Sequence, residues 1–582
     1  MFKTLLCIPP DYEYKFPPLG TPAIVGFLKK KGVSCSQIDL NLRYRDFLTQ
    51  HVSGPVPLNR EERLFFLKPL LSKFFTQNLT DRYYSHMLPR DSDDIFPRLP
   101  YGNNTNSSFF FGERLLSSDI LWKYLEDAEE NTFYQFYLQE GIIRRLEKED
   151  IRLFGISVIS PAQAVASLTL GLLVKKALPD VHVTIGGQWP TLYRHAIVQN
   201  KDLFRCFDSV VVFEGESAFY EMAVRLERGG SVSPVPNVMT QDTASAETVA
   251  RRDEDMNGLP CPDFDGLPLG DYSAGKGGQV SLTFETSRGC YWSKCAYCVD
   301  LPLPKPSYRA KSADIVVNDI KELKSRYNAQ YLLLGDPGLS PRQMRAISEK
   351  MLRDGVAMEW WTMARLDPGF NAELFELAYS AGLRQINFGF ESANDRVCDL
   401  LDKGNLRERS SRIIRECARS GIKVDLQTIA GLPGESFEEG LETVDFLIAH
   451  KEYIASVTFN FYYLSPGNHV YRDPGKYGIA YDRTGPMPFR FFTPFRNING
   501  MDMAQAYLLE KMHYSLLHKD DPAAAEKNPD PGAYTADGYA DLSLNGESCR
   551  LRYRKDPRTE EYMFIEHGDT NDQKHAPVYA TD

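Results

Sequence analysis

The chain has 582 residues, too many for one hydrophobic core, so two to four domains are expected. A content of 43% hydrophobic and 25% charged residues is that of an ordinary soluble globular protein, and a net charge of −11 argues against a broad nucleic-acid surface. Ten sparse, unevenly spaced cysteines rule out a secreted disulfide scaffold and point to a reducing cytoplasm.

The N-terminus, "MFKTLLCIPPDYEYK", has too short an apolar run for a signal peptide. From there strand and helix patterns alternate. "KTLLCIPP" is an apolar run closed by prolines, "TPAIVGFLKKKG" a helix ending at Gly32, and "VSCSQIDL" a second strand. A long interruption follows, about residues 41–147, rich in aromatics and helical patterns such as "REERLFFLKPLLSKFF". It reads as a helical insertion, with "LPYGNNTNSS" as loop. Leu153 to Val174 carries no charge, a length that would span a bilayer. Pro161, Gln163 and several Ser and Thr interrupt it, so "LFGISVIS" reads as a buried strand followed by a helix from Pro161, and no membrane span is expected.

"VHVTIGG", "DSVVVFEGE" and the helix "SAFYEMAVRLERGG" complete the first alternation, over residues 1–240. Unbroken apolar strands between helices imply a Rossmann-like, doubly wound parallel sheet, which binds ligands at the carboxyl ends of its strands. Residues 241–280 are polar and rich in Gly and Pro, and read as a linker. Six further strands then alternate with helices: "VSLTFETS", "AQYLLLGD", "AMEWWTMARL", "RQINFGFES", "KVDLQTIAG" and "ASVTFNFYYL". This α/β unit, residues 281–474, suits a partial (β/α)6 barrel with its site at the carboxyl-end mouth. The pattern fades in residues 475–582, a C-terminal region expected to shape a substrate pocket, with its last thirty or so residues polar and partly disordered.

Between the first and second barrel strands lies "TSRGCYWSKCAYC". Cys290, Cys295 and Cys298 are spaced C-x4-C-x2-C in the loop after a strand. A structural zinc site needs a fourth thiolate or a histidine, yet no second C-x2-C exists and no histidine falls between His195 and His450. Three thiolates on an iron–sulfur cubane leave one iron open to a ligand from elsewhere.

This loop resembles that of the radical S-adenosylmethionine (SAM) superfamily, with a first spacer one residue longer than the usual C-x3-C-x2-C. The resemblance implies a [4Fe-4S] cluster held by Cys290, Cys295 and Cys298. Its free iron is chelated by SAM, which an electron cleaves to a 5′-deoxyadenosyl radical. It implies further that Tyr297 lies near the SAM adenine. "GFES" resembles the segment whose Gly389, Glu391 and Ser392 approach the amino acid and ribose. Arg365 of "MARLDP" would face the carboxylate, and "IAGLPGES" resembles the turn after the fifth strand.

A Rossmann-like sheet ahead of such a barrel resembles the cobalamin-binding subclass. The loops "ISPAQ", "GGQWP" and "EGESA" then place Ser157, Ser160, Gly186, Gly187, Gln188, Glu214, Gly215 and Glu216 at the corrin, with glycines where backbone approaches a flat ligand. "DVHVTIG" lacks the glycine of a D-x-H-x-x-G loop, so His182 reads as structural and cobalt carries no histidine.

The resemblance implies a cobalamin-dependent radical SAM methyltransferase acting on an unactivated carbon of a small natural-product intermediate or a peptide. Rearrangement, ring contraction or cyclisation without methyl transfer is the alternative, and an iron–sulfur sensor without turnover the non-enzymatic one. An external electron donor such as flavodoxin or ferredoxin is implied; nucleic acid and membrane partners are not.

Overall fold

The computed structural model describes residues 2–53 and 118–513, apart from short gaps, and three strands within residues 537–568. The first sheet contains β1 (Lys3–Ile8), β2 (Ser34–Asp39), β3 (Ile151–Ser157), β4 (His182–Gly186), β5 (Ser209–Val211) and β6 (Val238–Thr240), in the order β2-β1-β3-β4-β5-β6. All are parallel except β6, which runs antiparallel to β5. Helices 20–30 and 216–227 cover one face, and helix 164–177 with the insertion's helices the other.

Helix 164–177 explains the uncharged stretch. Every residue from Ala164 to Val174 is buried, because the helix lies between the sheet and the insertion. It starts at Ala164, three residues after the expected Pro161. Among the described residues no helix is long and apolar enough to cross a membrane. The insertion is helical where described, at 40–53, 118–126, 132–140 and 142–148; "REERLFFLKPLLSKFF" and "LPYGNNTNSS" lie outside the described residues.

The second sheet is a curled half-barrel of six parallel strands: β7 (Val280–Phe284), β10 (Ala329–Leu334), β11 (Glu359–Arg365), β12 (Leu383–Glu391), β13 (Lys423–Ala430) and β14 (Ser456–Phe461). A two-stranded ribbon, β8 (Ser287–Arg288) with β9 (Arg309–Ala310), brackets the cysteine loop. Alternate strand residues face outward into one large core, among them Trp360, Ile386, Phe388 and Leu426, where the flanking helices bury their apolar stripes. Five of those helices start on a Ser or Asn that accepts a backbone N–H: Ser312, Ser340, Asn371, Asn394 and Ser436.

The connection between the domains is packed rather than free. Cys261, Phe264 and Leu267 belong to the barrel core, while Gln37 Nε2 donates to the carbonyls of Asp263 and Asp265 at 2.8 and 3.0 Å. Asp263 also pairs with Lys29 of the first domain and Arg326 of the second, each at 2.9 Å. In the C-terminal region, residues such as Met501, Leu508, Leu509 and Met512 pack into the barrel core. Strands β17 (Asp537–Leu544), β18 (Glu547–Lys555) and β19 (Tyr562–Gly568) form an antiparallel sheet beyond it, numbered after two short strands, β15 (Ile479–Ala480) and β16 (Arg496–Asn497). β19 lies in the stretch expected to be partly disordered. The run "ESCRLRYRK" of β18 does carry a strand period, with Cys549, Leu551 and Tyr553 alternating with arginines.

Gly171 shows how closely helix 164–177 is seated. An added Cβ would lie 2.2 Å from the Cys206 carbonyl oxygen. Alanine gains about 1 kcal/mol of helix propensity, but overpacking costs about 1–3 kcal/mol, and here it strikes backbone. Gly171→Ala is therefore expected to lower the urea midpoint of the first domain; an unchanged or raised midpoint contradicts this packing.

Candidate active site

The first domain presents one edge. Cys7 pairs with Ile156, Ser157 with Gly186, and Gly186 with Val211, so β1, β3, β4 and β5 end level. Ser157, Ser160, Gly186, Gly187, Gln188 and Gly215 line that edge, all half-buried. The glycines answer first to the protein's own packing. At Gly187, with φ of 112°, a Cβ would stand 2.5 Å from the Val158 carbonyl oxygen; at Gly186 it would be 3.3 Å from Val211, and at Gly215 3.1 Å from Ile24. Close approach of a flat ligand is therefore not needed to explain Gly187. His182 opens β4 at the opposite end of the sheet, with Nε2 2.8 Å from Ser209 Oγ, and burial lowers its pKa.

The second domain presents the cysteine loop. Its entrance is fixed by Asp336, fully buried after β10, which accepts from the backbone N–H and hydroxyl of Thr286 at 3.0 Å each and from Ser287 Oγ at 2.6 Å. Burial pushes this carboxyl up to about 6. Of the nine described cysteines, Cys290, Cys295 and Cys298 are half-buried and the other six are buried. Burial pushes those others up, to about 12 in Cys35, Cys206 and Cys398, which leaves them as unreactive core thiols.

Cations surround the loop. Arg365, only 4% exposed at the end of β11, has Nη1 3.7 Å from Cys295 Sγ, Nη2 donating to the Lys403 carbonyl at 2.6 Å, and its guanidinium 4.4 Å from the Trp292 ring centre. It also pairs with Asp367 at 3.4 Å, so it is an interior anchor and not a surface ion pair. Lys403 Nζ lies 2.8 Å from Glu391 Oε1, with both residues buried. Burial opposes its charge, but Glu391 and then Cys295 hold its pKa up. This donor set fits a cluster of anionic thiolates. Among the described residues no three His, Cys, Asp or Glu side chains are gathered for a single ion, and a cubane, which spreads its thiolates over separate irons, does not ask for that.

Glu391 has φ of 68°, a left-handed conformation that a non-glycine residue holds only under tertiary constraint. The constraint is the ion pair, and Gly389 makes room for it: a Cβ there would lie 2.8 Å from Glu391 Oε1 and 2.9 Å from Lys403 Nζ. Tyr297 titrates well above its ordinary value, by burial first and then through Glu391, Cys295 and Cys298, which places its phenol among them. Gly389, Glu391, Arg365 and Tyr297 thus meet at the cysteines. Ser392 does not. Its hydroxyl turns away to Glu435 Oε1 at 3.1 Å and Thr443 Oγ1 at 3.3 Å, because the chain reverses into the next helix.

Glu214 and Glu216 also depart from expectation. Both leave the ligand edge to meet Arg288, two residues before Cys290: Arg288 Nη1 lies 3.1 Å from Glu214 Oε2, and Nη2 pairs with Glu216 and Glu285. Arg309 of β9 pairs with Glu214 from the other side. Burial opposes the Arg288 charge, yet Glu216, Glu285 and Glu214 raise its pKa well above the ordinary value. The loop after β5 is thereby tied to the strand that carries the first cysteine.

Sequence reasoning missed Lys403, Arg288, Arg309, Asp336 and Glu435. Arg288 had a signal, a lone cation between an apolar strand and the cysteines; the pairing of Glu391 with Lys403, twelve residues on, had none. Glu435 lies in "IAGLPGES", read only as a turn. It is 1% exposed, accepts from Ser392 Oγ and the Leu432 N–H at 3.1 Å each, and burial pushes it up from 4.5 to about 8. A carboxyl raised in the fold stabilises it fully below its unfolded value and loses that contribution as pH rises through the folded one. The apoprotein is therefore expected to lose stability between about pH 4.5 and 8, and Glu435→Gln to flatten that slope in urea titrations. An equally steep slope in the variant would place the titrating group elsewhere.

Comparisons with known proteins agree with this geometry. The family model described as the Radical SAM superfamily matches residues 284–447, and the B12 binding domain matches residues 119–223. An uncharacterized methyltransferase of Pyrococcus horikoshii is 25% identical over 370 residues, 63% of this chain and 76% of its own length. An anaerobic magnesium-protoporphyrin IX monomethyl ester cyclase of Rubrivivax gelatinosus is 23% identical over 326 residues, covering 54% of this chain and 57% of the cyclase. The structure of the radical SAM methyltransferase TsrM from Kitasatospora setae superposes with a TM-score of 0.58 at 15% identity, over 90% of this chain and 91% of that one. The cobalamin-dependent radical enzyme OxsB gives 0.59 at 14%, over 88% and 66%. The chain thus carries a B12 binding domain followed by a Radical SAM superfamily domain, in the order and fold just described, the pairing of a cobalamin-binding (B12-dependent) radical SAM enzyme, whose cofactors are a [4Fe-4S] cluster, SAM and cobalamin.

Proposed function

We propose that the protein is a C-methyltransferase that acts on an unactivated carbon of a small natural-product intermediate or a peptide. The observation that carries this reading is the Arg288 junction, which ties the loop after β5, at the ligand edge of the first sheet, to the segment leading into the cysteine loop. A methyltransferase among the sequence relatives supports it. When bound, SAM on the cluster supplies a hydrogen-abstracting radical and cobalamin supplies the methyl group.

The chain's own residues do the rest. Cys290, Cys295 and Cys298 hold the cluster. Arg365 and Lys403 would offset the negative charge of the thiolates, and Glu391, held through one oxygen by Lys403, would bind the SAM ammonium. Tyr297 offers its ring to the adenine. Ser157, Ser160, Gln188 and the glycine edge would seat the corrin, and His182, held at the far end of β4, would not reach its cobalt. An external donor such as flavodoxin or ferredoxin supplies the electron.

The cyclase relative keeps one rival open, a rearrangement or cyclisation without methyl transfer. SAM labelled with deuterium in its methyl group separates the two: under turnover the label is expected in a C-methylated product, and a product without it overturns the methyl-transfer reading.

Removing one thiolate is expected to abolish the cluster. Cys290→Ala, Cys295→Ala and Cys298→Ala should each lose iron and sulfide on anaerobic reconstitution, whereas replacing buried Cys206 or Cys417 should not. A triple variant that still holds four irons would refute the site.

A further inference from the structure

The concave face of the half-barrel is built in levels. On β11 and β12 the buried residues Trp360, Ala364, Ile386 and Phe388 point outward into the core, so Trp361, Met363 and Arg365 share the inner face with Gln385, Asn387, Gly389 and Glu391. The register sets Trp361 beside Gln385 and Met363 beside Asn387. Much of this face is internally satisfied. Gln385 pairs with Asp425, Ser456 Oγ donates to Asp425 at 2.6 Å, and Asn460 Nδ2 donates to Gln427 at 2.9 Å. The mouth is satisfied too, through Glu391 and Lys403.

The level made of two adjoining rungs, Trp361 with Gln385 and Met363 with Asn387, keeps two atoms unmet. Trp361 Nε1 and Asn387 Oδ1 are both buried with no hydrogen-bond partner among the described residues, and Asn387 is 9% exposed. Buried polar groups in folded proteins are met by a partner in the great majority of cases, and here one donor and one acceptor stand unmet on neighbouring strands. Over them lies the loop after β1 from the first domain. Phe16 stacks on Trp361, with ring centres 6.2 Å apart and an angle of 16°, and the Lys15 ammonium sits 5.6 Å from the Trp361 ring centre. The level is thus enclosed by both domains.

We propose that this level is a substrate subsite that recognises an amide, as a carboxamide or a peptide bond. Trp361 Nε1–H donates to the amide carbonyl, and Asn387 Oδ1 accepts the amide N–H. The inference rests on the reading of the half-barrel as the active site and names the substrate class for it. A carboxylate or a ketone offers acceptors alone and leaves Oδ1 unmet, which weakens binding by about tenfold or more.

The test uses the full-length reconstituted protein and three probes of one shape, benzamide, acetophenone and benzoate, followed by ligand-observed NMR with SAM present. Benzamide is expected to bind about tenfold more tightly than the other two, and Asn387→Leu and Trp361→Phe are each expected to remove that preference. Iron and sulfide content checks that each variant folds, and the wild-type preference stands as a test without them. Equal affinities, no binding of any probe, a preference unchanged in both variants, or competition between benzamide and SAM each overturns the proposal. The probe ranking does not depend on whether a methyl group is transferred, so its failure is separable from failure of the functional reading.

Discussion

The structure depends on a half-buried arginine. Arg288 lies between the domains, its guanidinium shared by Glu214 and Glu216 of the first and Glu285 of the second. A buried ion pair is a poor source of net stability, but removing one partner leaves an uncompensated charge and costs about 3–5 kcal/mol. Its use here is orientation. Both partner segments are functional loops: one leaves β5 at the ligand edge of the first sheet, and the other leads within two residues to Cys290. The connection reinforces the alignment, since Asp263 joins Lys29 and Arg326 across the same boundary. An added Cβ on Gly26 would stand 2.6 Å from the Cys261 carbonyl oxygen, so helix 20–30 packs directly on that segment.

The same economy of space governs the barrel mouth. Two cations and one carboxylate converge beside Cys295, where a Cβ at Gly389 would collide with the Glu391–Lys403 pair. Burial strengthens each interaction and makes each unmet group costly. Hence Arg365 touches a thiol, an indole face, a carbonyl and a carboxylate at once, and Glu391 accepts a left-handed backbone.

The sequence was most legible where one local rule sufficed. The strands of both sheets read as unbroken apolar runs because helices cover them, and the three cysteines read from spacing alone. Long-range pairing was not legible. Glu214 and Glu216 sit in a loop at the ligand edge, and only the fold brings Arg288 and Arg309 to them from 74 and 95 residues away. Ser392 follows Glu391 in the motif, yet its hydroxyl faces the interior. At Gly187 and Gly389 a Cβ would also collide with Val158 and with Glu391 and Lys403, contacts that only the fold creates. The segment before β7 read as a linker because its composition is polar, while its few apolar residues, Cys261, Phe264 and Leu267, do the packing.

The central claim is that the Arg288 junction sets the cobalamin edge against the cysteine loop. Electron paramagnetic resonance of protein holding cob(II)alamin and the reduced cluster together tests it directly. The account predicts resolved spin–spin coupling between the two centres in the native protein, and its loss or broadening in Arg288→Met with both cofactors still fully loaded. Two uncoupled signals in the native protein, or coupling unchanged by the substitution, would contradict it.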